Sequence, residues 1–274
     1  MSSARLLGIV VLLIVGLNAS AQNTSTFLGF DSNDYPGDSN LKALRQTFSY
    51  TGYWLNNPPG ASSNNWVGHR DAVQRAGFGF LVLFNGRLYA ALKTVTNAKR
   101  MGQSDARAAA ASARREGFPS GTVIFLDQEQ GGRMLAEQKA YIYAWVDGVV
   151  AVGFRAGIYC SGMRSTDEGN VVTAEDIRQT AGSRQIVYWV SNDACPPAPG
   201  CAFPERAPKP ADSGVEFAEV WQFAQSPKRK DVAGQCTDYD RDGNCYPPGA
   251  AAGQAPYIDV NTAKSADPSH GRSH

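Results

Sequence analysis

Short apolar runs alternate with amphipathic segments along most of this chain. Thr26 to Asp31 (TFLGFD) predicts a first strand, and Tyr50 to Leu55 a second. Phe78 to Phe84 (FGFLVLF) and Gly121 to Glu129 (GTVIFLDQE) are apolar at consecutive positions. That pattern predicts strands covered on both faces. Further strands are predicted over Ala156 to Ser161, Gln185 to Ser191, Glu219 to Ala224 and Tyr257 to Asn261. Between them, 3.6-residue periodicity and stop signals predict helices over Asn40–Phe48, Asn65–Ala76, Ser104–Glu116, Ala136–Val152 and Thr173–Thr180. Gly77, Gly117 and Gly153 follow three of these, as expected of helix ends.

Eight strands with intervening helices predict an α/β fold, a (β/α)8 TIM barrel over residues 22–264. An open doubly wound sheet is the alternative, but no glycine-rich phosphate turn follows the first strand. Residues 192–218 and 225–256 are rich in Pro, Gly and charge and show no helical period. They are expected to be irregular loops. Residues 265–274 (SADPSHGRSH) are expected to form a disordered tail.

The first residues change the compartment. Arg5, the apolar run Leu6 to Leu17 and the small-x-small site Ala19-Ser20-Ala21 read as a signal peptide over 1–21. An uncleaved anchor is the alternative. The chain is therefore expected to be secreted or extracytoplasmic, with no membrane contact after cleavage. Asn23-Thr24-Ser25 is a glycosylation sequon, meaningful only where the source uses such sites. Basic and acidic residues number 26 and 25, which argues against a general affinity for nucleic acid. Five cysteines fit an oxidising environment. Cys195 and Cys201 flank one short loop and Cys236 and Cys245 another, so two local disulfides are expected. Cys160, inside an apolar strand, is expected to be a buried free thiol. With no CxxC pair, zinc is not expected.

Chemistry concentrates at the predicted strand ends. Asp127 and Glu129 stand two residues apart where an apolar strand stops, so both acids face one way. Burial and mutual repulsion would then separate their pKa values, as glycoside hydrolysis requires. Reading the other strand ends adds Asp31, Tyr53, Trp54, Tyr159, Tyr188, Trp189, Asn192, Trp221, Gln222, Asp259 and Asn261. Acids and aromatics at one barrel mouth suit a saccharide, whose ring faces stack and whose hydroxyls take hydrogen bonds.

The motifs GFDSNDYPG, FLDQE, VWQFA and YIDVN, in that order, resemble those of the family 25 glycoside hydrolases, the lysozyme-type muramidases. They are more similar still to a related glycoside-hydrolase-like domain, domain of unknown function 1906. The resemblance spans nearly all of the chain after residue 21. It implies that Glu129 is a general acid and that Asp127 orients a substrate N-acetyl group or stabilises its positive intermediate. Asp31 and Asp259 would be supporting acids, and Gln222 a polar lining residue. It further implies a lysozyme-like glycosidase acting on polysaccharide or peptidoglycan as a monomer without cofactor. After Asp31 the chain carries Ser32-Asn33, where the lysozymes carry a small apolar residue and then serine.

A carbohydrate-binding or cell-envelope module on the same barrel, without turnover, is the competing reading. A role in envelope assembly through protein partners has no feature of its own. Asp238, Asp240, Asp242 and Gly243 begin an EF-hand-like calcium loop, but Gly249 stands where the bidentate Glu belongs. An acidic turn is the simpler reading. No G-x-S-x-G elbow supports serine catalysis.

Overall fold

The computed structural model describes residues 25–273 except 167–168, 202, 204–206, 232–233 and 251. The expected signal segment and Asn23 lie outside the described residues. Eight strands close a barrel: β1 (Phe27–Asp31), β2 (Tyr50–Trp54), β3 (Gly79–Asn85), β4 (Val123–Asp127), β5 (Arg155–Ser161), β6 (Ile186–Ser191), β7 (Val220–Ala224) and β8 (Asp259–Ala263). A two-residue ribbon pairs Arg164–Ser165 with Val171–Val172 beyond β5. The helices are α1 (Asp38–Leu44), α2 (Arg70–Arg75), α3 (Tyr89–Leu92), α4 (Val95–Arg115), α5 (Ala136–Ala151) and α6 (Thr173–Thr180).

Seven strands run parallel, from β1 through β7. The eighth departs from a regular (β/α)8 barrel, because β8 is antiparallel to both β7 and β1. This single reversal organises the rest. A strand that follows β7 antiparallel starts at the end where β7 stops, so no crossover helix is needed. The described residues between β7 and β8 therefore remain at the mouth of the barrel as loop. The reversal also brings Asp259, the first residue of β8, into register with Asp31, the last residue of β1.

β8 in turn ends at the opposite rim. The tail expected to be disordered is instead packed there. The Phe80 and Val82 amides donate to the Asp267 and Ser269 side chains, and Val123 donates to the Ser269 carbonyl. Ser269 is fully buried. The polar, Gly-containing composition of this segment misleads because its polar groups are satisfied by strand edges and by turns around Asp267, which accepts from the Gly271 and Arg272 amides.

α4 begins well before the predicted Ser104. Thr94 caps it by accepting from the Asn97 amide. Its buried face runs Ala98, Gly102, Ala106, Ala109, Ala113. These small residues let α5 approach closely; a Cβ at Gly102 would lie 2.3 Å from the Tyr141 carbonyl oxygen.

The disulfides also differ from expectation. Cys195 pairs with Cys236 and Cys201 with Cys245. Each bridge ties the loop after β6 to the loop after β7, whereas each expected pair would have closed one loop on itself. Cys160 is a buried free thiol, with burial pushing its pKa up.

Candidate active site

Alternation along each strand decides which side chains reach the mouth. In the neighbouring pairs Tyr53–Trp54, Tyr188–Trp189 and Trp221–Gln222, only the second member lines the cavity there. Tyr53 turns outward into a cluster with Trp66, Phe80 and Phe118, and its hydroxyl donates to Glu116. Tyr188 packs outside the barrel against Phe217. Trp221 is fully buried beside Phe223 and donates to the Asn192 carbonyl. The Asn192 side chain braces its own loop through the Ser213 carbonyl and the Ala194 amide. These four expected sugar contacts are therefore structural.

The remaining expected residues converge. Asp31, Trp54, Asp127, Glu129, Tyr159, Trp189, Gln222 and Asp259 line a cavity of about 210 Å³, joined by Asn33, Pro59, Leu83, Gln225 and Ser226. Asn261 lies one layer beneath, fully buried. Sequence reading missed Gln225 and Ser226 because they stand on the long mouth loop, beyond the strand pattern.

A continuous hydrogen-bond network fixes the floor. Trp189 Nε1 donates to Asn261 Oδ1 at 2.9 Å, which turns Asn261 Nδ2 toward Asp31 Oδ1 at 2.6 Å. Tyr159 donates to Gln222 Oε1 at 2.7 Å. Gln222 Nε2 then reaches Asp31 Oδ1 at 3.1 Å and Asp259 Oδ2 at 3.3 Å. The Ser226 amide donates to Asp259 Oδ1 at 2.5 Å. Gly52 makes room for this arrangement; a Cβ there would lie 2.7 Å from the Asp31 Cβ.

Electrostatics follow from the crowding of four acids. Burial raises the Asp31 pKa to about 6, opposed by the donations from Asn261 and Gln222. Asp259 is driven well above the usual carboxylate range by burial and then by the charge of Asp31. Asp127 is driven up by burial and then by Glu129. Glu129 is raised by burial of its carboxyl, while hydrogen bonding to Asp127 opposes the rise. As a residue Glu129 is open to solvent, so it is the more accessible of the pair. Both carboxyls of the pair are held above the ordinary carboxylate range, Asp127 by burial and then the charge of Glu129, and Glu129 by burial. Asp127 Oδ1 is buried and has no hydrogen-bond partner among the described residues. An acceptor left open in this way carries a desolvation cost until a donor arrives.

A second cavity, of about 250 Å³, adjoins the first. Glu129, Tyr159 and Gln225 line both. Asp238, Asp240 and Asp242 do not form the suggested calcium site. No three acidic, histidine or cysteine side chains converge as a metal site among the described residues. Asp240 and Asp242 accept from backbone amides of Arg241, Ala252 and Asn244, and Asp238 from Thr237 Oγ1.

Residues 50–197 match the model of a family described as Rv2525c-like, glycoside hydrolase-like domain. Among solved structures, an uncharacterized Bacillus stearothermophilus protein is similar with a TM-score of 0.56 and 22% identity, over 86% of this chain and 95% of that one. The Clostridium perfringens spore cortex lytic enzyme SleM is similar with a TM-score of 0.53 and 15% identity, over 88% and 68%. The Mycobacterium tuberculosis Tat-secreted protein Rv2525c gives a TM-score of 0.50 and 14% identity, over 87% and 94%. At these identities the solved structures establish a shared fold. No curated protein matches.

Proposed function

The chain belongs to the Rv2525c-like, glycoside hydrolase-like domain family, and from that premise we propose that it is an extracytoplasmic glycoside hydrolase. Its substrate is a cell-wall or related polysaccharide, and Glu129 is the general acid. The observation that carries the reading is the Asp127–Glu129 pair: two carboxyls lining one cavity with Asp31 and Asp259, one of them with an unfilled buried acceptor. Two disulfides support a site of action outside the cytoplasm. The motif resemblance supports a cell-wall substrate and agrees with the name of one fold neighbour, a spore cortex lytic enzyme.

Substrate assistance is one of the routes open to such enzymes, and it needs a carboxylate that holds the substrate's acetamido group. The open buried acceptor of Asp127 suits that role. An acetamido N–H bonded to Asp127 Oδ1 would stabilise the Asp127 anion and leave Glu129 as the protonated acid of the pair. Glu129 gives that proton to the glycosidic oxygen as the C1–O bond breaks. The acetamido oxygen bonds to C1, and Asp127 balances the positive charge of the resulting ring. Water then attacks C1, releasing the acetamido oxygen and its own proton to Glu129. Asp31, Asp259 and Gln222 hold the floor in register.

This reading requires an N-acetylated sugar at the bond cleaved. Reducing-end release should occur from N-acetylglucosamine oligomers or peptidoglycan and not from the de-N-acetylated oligomers. Equal release from both forms would contradict the mechanism. Binding without release from any glycan would favour the binding module over the hydrolase.

A further inference from the structure

A cavity of about 650 Å³, larger than either of the two at the mouth, opens at the opposite rim of the barrel. It lies where β5 and β6 begin and where the chain leaves β8, and it shares no lining residue with the candidate active site. The fold makes the room. Between β6 and β7 the described residues form one 3-10 turn, Pro210–Ser213, and no α-helix. A regular barrel lays a helix over the sheet at that step. Without it, Ile186 and Val187 stay half-buried at the start of β6, although that strand pairs with a neighbour on each side. One wall of the cavity is therefore apolar, built from Val150, Ile186, Val187, Tyr188 and Phe217.

Arg155, Arg178, Arg184 and Lys264 meet this wall, and Glu219 is the only acid among the described residues that line it. Two of the cations are committed. Lys264 Nζ pairs with Glu219 Oε1 at 3.0 Å. Arg184 holds both carboxylate oxygens of Asp147 at 2.7 and 2.8 Å and donates to the Ala181 carbonyl at the end of α6. The side chains of Arg155 and Arg178 form no ion pair and no hydrogen bond among the described residues. The chain is described without a break over 25–166 and 169–201, the stretches that carry them. Arg178 is nonetheless held in place, because its guanidinium lies over the Phe217 ring, 4.2 Å from the centroid. Stacking uses the face of a guanidinium and leaves the N–H groups at its edge for an acceptor.

An apolar wall beside two uncommitted guanidiniums selects a ligand that is apolar at one end and anionic at the other. Two such cations match a doubly charged head better than a single charge, and paired N–H donors match its oxygens. The volume is that of a small-molecule site. We infer that this cavity is a second ligand site, for an organic phosphate monoester with an apolar body. Arg155 and Arg178 take the phosphate, while the exposed start of β6 and the Phe217 ring take the apolar part. The site lies at the other end of the barrel from Glu129 and does not depend on the hydrolase reading.

The test is calorimetric titration of the full chain with octyl phosphate, octanoate, octanol and inorganic phosphate, all below the concentration at which the amphiphiles form micelles. Octyl phosphate should bind at least about ten-fold more tightly than inorganic phosphate, since burial of a few methylenes suffices for that factor. It should also bind at least about ten-fold more tightly than octanol, which offers the arginines no charge. Octanoate, with one negative charge, should fall between octyl phosphate and octanol. Arg155→Gln/Arg178→Gln should erase the advantage of octyl phosphate over octanol; both side chains are exposed, so the fold should survive. Val150→Asp, at a residue 52% exposed, should weaken octyl phosphate several-fold by placing a like charge on the wall. In the wild type, the methyl resonances of Ile186 should shift as octyl phosphate binds. Octyl phosphate bound no more tightly than octanol or inorganic phosphate, an unchanged affinity in Arg155→Gln/Arg178→Gln, or unmoved Ile186 methyls would overturn the inference.

Discussion

Gln222 donates its side-chain amide to the Asp31 carboxylate at 3.1 Å, joining the seventh strand to the end of the first. The same amide reaches Asp259 at 3.3 Å, and the Gln222 carbonyl accepts from Tyr159. One neutral side chain thereby separates two buried acids. Gln222→Ala should push the Asp31 pKa above its value of about 6, because a donation that lowers it is gone. Carboxyl titration by NMR checks this; an unchanged or lower Asp31 pKa would contradict the network.

The raised acids give a pH dependence of definite sign. A carboxyl whose folded pKa exceeds its unfolded one binds more protons in the native state, so stability falls as pH rises between the two values. For Asp31 that window runs from the unfolded value of 3.8 to about 6. Its contribution is full below pH 3.8 and lost above pH 6, worth about 3 kcal/mol at most. Asp127 and Asp259 act in the same direction. Chemical denaturation at pH 4 and pH 7 should show less loss of stability for Asp31→Asn than for wild type. An equal loss would rule out Asp31 as a source.

Gly52 is needed for space. An added Cβ would meet the Asp31 Cβ at 2.7 Å and Leu83 Cδ1 at 3.2 Å. Gly52→Ala should cost about 1–3 kcal/mol by overpacking and cut kcat by more than ten-fold through displacement of Asp31. A variant with wild-type kcat and melting temperature would show that Asp31 can shift freely.

Trp54 and Tyr53 are adjacent yet face opposite sides of the sheet. Trp54 lines the cavity, held by its Nε1 donation to the Ser32 carbonyl. Trp54→Phe should therefore raise KM for an oligosaccharide several-fold. Tyr53→Phe loses the contact with Glu116, away from the cavity, and should lower stability by about 1 kcal/mol with KM unchanged. The opposite pattern would place the saccharide elsewhere.

The disulfides link two loops over sequence separations of 41 and 44 residues. In the chain-entropy picture each stabilises the fold by about 4 kcal/mol. Cys195→Ser/Cys236→Ser should lower the melting temperature and speed amide exchange around Arg229. Unchanged exchange there would show that the Arg229–Asp193 pair holds the loop unaided.

Much of the barrel was legible in the apolar runs, because strands buried on both faces carry no polar interruption. The reversal of β8 was not. A five-residue strand reads the same in either direction, and its orientation depends on where the preceding loop keeps the chain. That reversal is why Asp259, near the middle of the predicted YIDVN strand, stands at the mouth. Asp31, Asp127 and Glu129 were legible because they stand where an apolar run ends. The aromatics were over-read: Tyr53, Tyr188 and Trp221 each sit beside a mouth residue, and a period of two admits only one of each pair. Of the residues lining the second mouth cavity, Arg164 lies in a two-residue ribbon and Arg229 in a loop, both too short or irregular for a periodicity to mark them. The cysteine pairing was misread because sequence proximity suggested closure within a loop, while the structure brings two loops together.

The central claim is that Glu129 donates the proton that breaks a glycosidic bond. Its most direct test is reducing-sugar release by wild type and Glu129→Gln from purified peptidoglycan, chitin oligomers, and α- and β-glucans, with folding of both proteins checked by melting temperature. The account predicts release by wild type from N-acetylated substrates and a loss of at least about 10³-fold in the variant. A folded Glu129→Gln that matches wild type would contradict it.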